Sequence, residues 1–477
     1  MGIMRQLIIF YMEFIEQVVN ACNGVLWTYV LVALLIGCAL WFTFRTGFVQ
    51  LRMLRELPSI FASPEEMPDD GKKHISSFQA FAISIASRVG TGNLAGVAVA
   101  IAMGGPGAVF WMWVIAIFGA GSAFVESTLA QLYKVHGKKS YLGGPAYYMQ
   151  RGLKMRWMGV LFSILLILTF GFAFNSLQSN TICQAFEEAF HIEPWMSGVV
   201  LTVITLAIIF GGIHRIAFVS GIVVPIMALG YIALAIVIIA FNLNLIPDVL
   251  GLIVSHAFGW EQGIAGGVGA ALQQGIRRGL YSNEAGMGSA PNVAATAVVS
   301  HPVKQGYVQA VSVFSDTLII CSCTAFIILI SGIPGDSAMG GIKLTQQAVC
   351  QQIGPMGDIL IAVAILLFAY SSVLGNYYYG EANVQFITRK RWVVRVYRVF
   401  VAAMVMFGAL ASLELVWNMA DLFMGLMTIC NLVAIVLLGK YAFRLLADYR
   451  AQRREGVKDP VFSKDRMPDI ADDLECW

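Results

Sequence analysis

Residues 83–102 read ISIASRVGTGNLAGVAVAIA. The flanks are apolar and long enough for a helix, but Gly90, Thr91, Gly92 and Asn93 interrupt them in succession. Unwinding a helix in lipid strands backbone N–H and C=O groups, and each stranded group costs several kcal/mol. Such a break persists only where the freed groups bind something or line a cavity. Close helix packing explains spaced glycines, but not four glycine or polar residues in a row. A second stretch, residues 267–292, reads GVGAALQQGIRRGLYSNEAGMGSAPN. There Gly275, Gly279, Gly286 and Gly288 surround Asn283 and Glu284.

The rest of the chain places these breaks inside a membrane. Of 477 residues, 58% are hydrophobic and 12% charged, where a soluble domain carries about 25% charged residues. Such a chain cannot cover its own surface with polar groups, which excludes a soluble globular enzyme. A formal net charge of +3 argues against a nucleic-acid partner. None of the 8 cysteines forms a CxxC pair. Six of them (Cys22, Cys38, Cys183, Cys321, Cys323, Cys430) sit in or beside apolar runs, as small buried hydrophobes do. The histidines show no metal-ligand spacing. The run from Gly24 to Phe44 is long enough to span and lacks a cleavage signature, so it reads as a retained helix.

Eleven apolar runs approach the length of about 20 residues that a bilayer core demands. They cover 24–44, 78–103, 107–133, 157–185, 195–212, 216–241, 262–298, 306–332, 357–386, 394–412 and 415–443. Of the 31 Lys and Arg residues, 26 fall in alternate connections and the tail, and only Arg5 and Lys343 fall on the other side. The positive-inside rule then predicts the N-terminus outside and the C-terminus in the cytoplasm. The breaks are five runs apart. With the first helix set aside, 78–241 and 262–443 are two five-helix units, each starting with its broken helix. Five is odd, so the units have opposite topology, the inverted repeat of secondary transporters that bind at the midplane. Residues 1–77 then hold an external N-terminus, the extra helix and a basic, partly amphipathic cytoplasmic loop. Residues 444–477 form a cytoplasmic tail, polar from about 450. Residues 334–356 are expected as an external loop with a short helix.

Gly104 to Gly119 reads GGPGAVFWMWVIAIFG. With GTGN before it and SNEAGMGSAP at 282–291, the chain resembles the bacterial and archaeal sodium:alanine (alanine/glycine:cation) symporter family, from about Trp41 to the tail. The resemblance implies an all-α integral membrane protein of eleven transmembrane helices. The fold would be the leucine-transporter type, an inverted five-helix repeat with one extra N-terminal helix. It implies sodium-coupled uptake of small neutral amino acids, alanine or glycine, by alternating access in a prokaryotic cytoplasmic membrane. Na+ is the coupling ion, no organic cofactor is expected, and a monomer suffices.

The resemblance also assigns residues. Thr91, Gly92, Asn93, Gln178, Tyr281 and Gly286 are the substrate-binding candidates. A helix restarting near Gly92 offers free N–H groups and a positive dipole end to a carboxylate. Gln178 either binds substrate or makes an interhelical hydrogen bond. Tyr281 stands where the family usually has Phe, so a wall of the pocket gains a hydroxyl. Many members carry Trp where this chain has Asn376. Sodium prefers hard oxygen donors. The carbonyls of Ala86, Val89 and Phe368 and the hydroxyls of Ser371 and Ser372 form the expected set, with back-bonding to their own helix as the alternative for the serines. Intramembrane charges are costly and are paired or functional. Among them Arg88, Glu284 and Asp316 are candidates for a gate or charge relay. Rival readings are a proton-coupled carrier on the same fold, a channel and a membrane enzyme. The enzyme is disfavoured by the lack of a nucleophile motif.

Overall fold

A computed structural model describes residues 16–62, 75–137, 140–210, 213–259, 265–333 and 341–477. The expectations for Arg5, Lys72, Lys73, Lys138 and Lys139, for the start of the run at 262, and for the first part of the 334–356 loop lie outside these residues. So do the side chains of 213–224.

The elements in chain order are α1 (Glu16–Arg45), α2 (Val49–Ala62), α3 (Ser77–Arg88), α4 (Gly92–Gly104) and α5 (Gly107–Leu132). A two-residue hairpin, β1 (Val135–His136) with β2 (Tyr141–Leu142), leads to α6 (Pro145–Arg151). There follow α7 (Arg156–Phe190), α8 (Pro194–Ile209), α9 (Ile213–Phe241), α10 (Ile246–Phe258), α11 (Ala265–Asn283), α12 (Pro291–Ala294) and α13 (Pro302–Ser331). The chain ends with α14 (Ile342–Ile353), α15 (Met356–Ile387), α16 (Arg391–Leu410) and α17 (Leu413–Arg454).

Seven of these helices are long and apolar enough to cross a membrane, or nine if each of two bent pairs is one crossing. Among the described residues, the expected count of eleven is not reached on length and composition. The α8 helix has 16 residues, and α11 carries too many polar residues to pass as an apolar span. The predicted run 216–241 is the middle of a longer path, because the chain turns by 80° between Phe241 and Leu243 before α10.

Both predicted breaks are present. The α3 and α4 helices meet at 51°, with Val89 in an extended conformation between them. A capping box at Ser76 and Gln79 starts α3. After α11 the backbone takes positive φ at Glu284, Gly286 and Gly288, a region that glycine enters without steric cost. Two sets of helices pack closely, and α3 and α9 also contact α15. In one, α5 lies against α11 and α13, and α11 against α4. In the other, α7, α8, α15 and α16 pack together.

Two expectations about the basic end change. Helix α17 continues to Arg454, past the expected end at 443, since no glycine or proline stops it before Gly456. The tail beyond is not merely a solvated strand. Phe462, Met467, Ile470 and Leu474 are buried in the main core cluster. Asp473 pairs with Lys154, Glu475 with Arg151 and Asp459 with Lys304. Their apolar spacing over 462–474 was diluted by charges, so hydropathy alone hid it.

Candidate functional site

The first break brings its own side chains back onto its backbone. Asn93 Oδ1 accepts from the Gly90 N–H at 2.9 Å. Gln178, in the middle of α7, accepts from the Thr91 N–H at 3.0 Å and from the Thr91 hydroxyl. Two donors freed by unwinding are therefore satisfied by side chains rather than by helix carbonyls. Gly90 was passed over as a site residue, yet it has no room for a side chain. A Cβ there would collide with the Ser372 hydroxyl and sit 3.1 Å from the Gln178 amide.

Beside the break, five oxygen groups converge. Ser372 Oγ donates within 3.2 Å of the Ala86 carbonyl and 3.3 Å of the Val89 carbonyl, and 3.1 Å from that of Phe368. Ser371 Oγ lies 3.3 Å from the Ala86 carbonyl and 2.8 Å from the Phe368 carbonyl. Both anticipated geometries thus coexist, since each serine bonds its own helix and also reaches across to α3. All five groups are neutral oxygens, a donor type that suits a hard cation.

The second break supplies a wall. Tyr281 is buried, with its ring 4.7 Å from Phe174 and 5.1 Å from Trp417. A Cβ on Gly92 would lie 3.0 Å from that ring, so the two broken helices touch where both are glycine or aromatic. Gln178 Nε2 donates to the Tyr281 hydroxyl at 3.4 Å, a contact that phenylalanine cannot make. Gly286 is placed elsewhere. Its N–H donates to Glu126 at 3.2 Å and its carbonyl accepts from Asn431 at 2.9 Å.

Asn93 looks the other way with its amide nitrogen, donating to Asp316 Oδ1 at 2.7 Å and lying 3.3 Å from Ser282 Oγ. Ser282 in turn donates to Asp316 Oδ2 at 2.5 Å. Sequence reasoning quoted Ser282 inside SNEAG but did not select it. A serine in an otherwise polar motif carried no separate signal. Two of the gate candidates, Arg88 and Glu284, do not pair with each other. Arg88 donates to Ser312, while Glu284 accepts from Ser87 at 3.3 Å and Ser289 at 2.5 Å. Arg88, Glu126, Glu284 and Asp316 are all buried. Asn376 accepts from Ser87 at 3.2 Å, which ties α15 to the same network. Near the second break, Asp421 pairs with Arg278 at 2.5 Å and with Arg277 at 3.3 Å. The Arg278 guanidinium lies 4.2 Å from the centre of the Trp417 ring.

Residues 12–464 match the model of the sodium:alanine symporter family. The chain belongs to that family. Among its relatives, the probable sodium/glutamine symporter GlnT of Bacillus subtilis (strain 168) is 50% identical, over 98% of this chain and 96% of the relative. The amino-acid carrier protein AlsT of the same organism is also 50% identical, over 98% of each. Among solved structures, MhsT in complex with L-phenylalanine aligns with a TM-score of 0.54 at 14% identity, covering 85% of this chain and 94% of that one. At that identity the likeness concerns the fold, which is of the leucine-transporter type. Members of the sodium:alanine symporter family are membrane transporters, not enzymes, and the bilayer-spanning helices and the two breaks of this chain are read in that light.

Proposed function

We propose that the chain carries out sodium-coupled uptake of a small neutral amino acid across a prokaryotic cytoplasmic membrane by alternating access. The observation that carries the reading is the meeting of the Ala86, Val89 and Phe368 carbonyls with the Ser371 and Ser372 hydroxyls at the first break. Gly90 joins this oxygen set directly to Gln178. A sodium ion there is held by dipoles that also belong to the substrate pocket, so ion and substrate support each other's binding. The substrate carboxylate takes over the Thr91 N–H and hydroxyl now held by Gln178, with the positive end of α4 behind it. The freed Gln178 amide and the Asn93 side chain complete the polar contacts, while Tyr281 closes over the side chain. Gly286 supports this wall from the far side of the second break. Arg88, Glu284 and Asp316 act as the charge network that moves with the gate. The packing of α4 and α11 against each other, with α3 reaching across to α15, supports a motion of the broken helices against their neighbours.

The energetics suffice with one ion. A potential of 100 mV supplies about 2.3 kcal/mol per charge, and a tenfold sodium gradient adds about 1.4 kcal/mol. Together they concentrate substrate roughly 500-fold. Alanine or glycine is the substrate implied by the family. The relative named for glutamine, at 50% identity, and the polar edge that Tyr281 adds make glutamine the competitor to test.

A second reading, proton coupling on the same fold, is favoured by one observation. Three carboxyls, Glu126, Glu284 and Asp316, are buried, and Asp316 is hydrogen-bonded to Asn93 at the first break. Uptake of radiolabelled alanine into proteoliposomes at fixed pH separates the two. Uptake driven by an imposed sodium gradient and competed by glycine or glutamine supports the proposal. Accumulation driven by a proton gradient without sodium replaces it with the second reading.

A further inference from the structure

The basic end of the molecule contains a cleft of about 460 Å³ where α2, α13 and α17 meet. Four arginines line it, Arg52, Arg450, Arg453 and Arg454, against one carboxylate, Glu56. That carboxylate is already engaged by Arg453 at 3.3 Å and by the Tyr449 hydroxyl at 3.1 Å. Among the described residues neither Arg52 nor Arg454 forms an ion pair. Arg450 donates one nitrogen to the Thr46 carbonyl at 2.6 Å, while its Nε is buried without a partner. Arg52 and Arg450 share a corner. A Cβ on Gly47 would lie 3.6 Å from an Arg450 nitrogen and 3.9 Å from an Arg52 nitrogen. Such close like charges repel, and Glu56, the one carboxylate that lines the cleft, is engaged by Arg453 and Tyr449.

The surroundings of the cleft indicate what supplies the counter-charge. Thr46 directly follows α1, so the Arg450 contact sits where the first span leaves the bilayer. The adjoining surface is apolar and open: Trp41, Phe44, Phe48, Leu51 and Leu54 are all exposed. The α2 helix buries Val49, Met53 and Ile60 on its other face, as an interfacial helix does. Basic pockets between spans at a membrane surface bind phosphate headgroups, and arginine forks match phosphate oxygens.

We infer that this cleft binds a phosphate ester, carried by an anionic phospholipid whose headgroup sits among Arg52, Arg450 and Arg454 while its chains lie along Phe44, Phe48 and Leu51. The bound lipid ties α2, the start of α13 and the end of α17 together.

The test uses the full chain purified in detergent, with thermal stability read as a function of added probe. The probes are short-chain phosphatidylglycerol, short-chain phosphatidylcholine, glycerol phosphate and inorganic phosphate. Saturable stabilisation by phosphatidylglycerol alone is the expected result. R52Q and R454Q, both at exposed positions, weaken it about fivefold each. R444Q, whose arginine pairs with Asp469 away from the cleft, leaves it unchanged. Equal stabilisation by phosphatidylcholine overturns the inference, because the cleft then selects no anion. Equal stabilisation by inorganic phosphate or glycerol phosphate overturns the lipid as the source. Unaltered phosphatidylglycerol binding in both R52Q and R454Q overturns the location.

Discussion

Gly90 is the residue on which the site turns. Its missing side chain lets the Ser372 hydroxyl and the Gln178 amide approach the same backbone atom. In the proposed function, ion and substrate groups are therefore neighbours, and their binding is expected to be linked, each raising the other's affinity by the same factor. Loss of a hydroxyl that binds only the ion is expected to be recoverable. In S372A the alanine binding isotherm shifts to higher sodium concentration, and saturating sodium largely restores the affinity. In N93A it does not, because Asn93 also holds the Gly90 N–H and Asp316. Leaving such groups unpaired costs about 1–3 kcal/mol, a loss of about five- to 150-fold that sodium cannot replace. Isotherms at several sodium concentrations measure both. An unchanged sodium midpoint in S371A and S372A alike means the serines serve only their own helix.

At the scale of elements, the tail that follows α17 behaves as a clasp. It spans from Lys304 at the start of α13 to Arg151 and Lys154 just before α7, and the Trp477 indole donates to the Gln131 carbonyl at 3.0 Å. Its docking is expected to depend on pH. His301 is buried beside Phe462 and Tyr449, facing Asp448, Lys304 and Arg466. Burial outweighs the pull of Asp448 and holds the imidazole below its ordinary value. Glu475 is held below the usual carboxylate range by the His136 N–H and by Arg151, which outweigh its desolvation. Both signs agree. The unfolded or undocked His301 takes up a proton more readily, so stability falls as pH drops through about 6.5. The Glu475 contribution is present above its unfolded pKa of about 4.3 and is lost as pH falls below it. Melting followed by tryptophan fluorescence is expected to weaken from pH 7 to pH 5, and H301Q is expected to flatten that slope. A pH-independent melt in the wild-type chain contradicts the coupling.

For the whole molecule, the proposed inverted repeat expects the two halves to sit in the membrane with opposite sense. An odd number of crossings puts the chain ends on opposite sides. A reporter fused after Trp477 is expected to read cytoplasmic, while a tag before Arg5 is accessible from outside. Detection of both on one side removes the inverted repeat and the alternating-access scheme with it. The same charge asymmetry from which this orientation is expected also collects Arg52, Arg450 and Arg454 around one cleft.

Local chemistry was enough to determine some of this protein from its sequence alone. Hydropathy and charge bias show a membrane chain with a basic end, because lipid tolerates neither bare backbone nor stray lysines. The strings GTGN and SNEAG reveal both helix breaks, because runs of glycine and polar residues cannot stay helical in lipid without something to satisfy them. Serine and asparagine positions were likewise legible as oxygen donors. Partnership was not legible. Ser372 meets the Ala86 carbonyl across 286 positions of chain, and Asp316 finds Asn93 and Ser282 rather than an arginine. Glu284 turns to serines, while Arg278 takes Asp421. These pairings depend on the angle between α3 and α4 and on which helices share a group. Side chains compete for partners only after the backbones are packed. The clasp belongs to the same class, since scattered apolar residues such as Phe462 and Leu474 become core only when another surface is there to cover them.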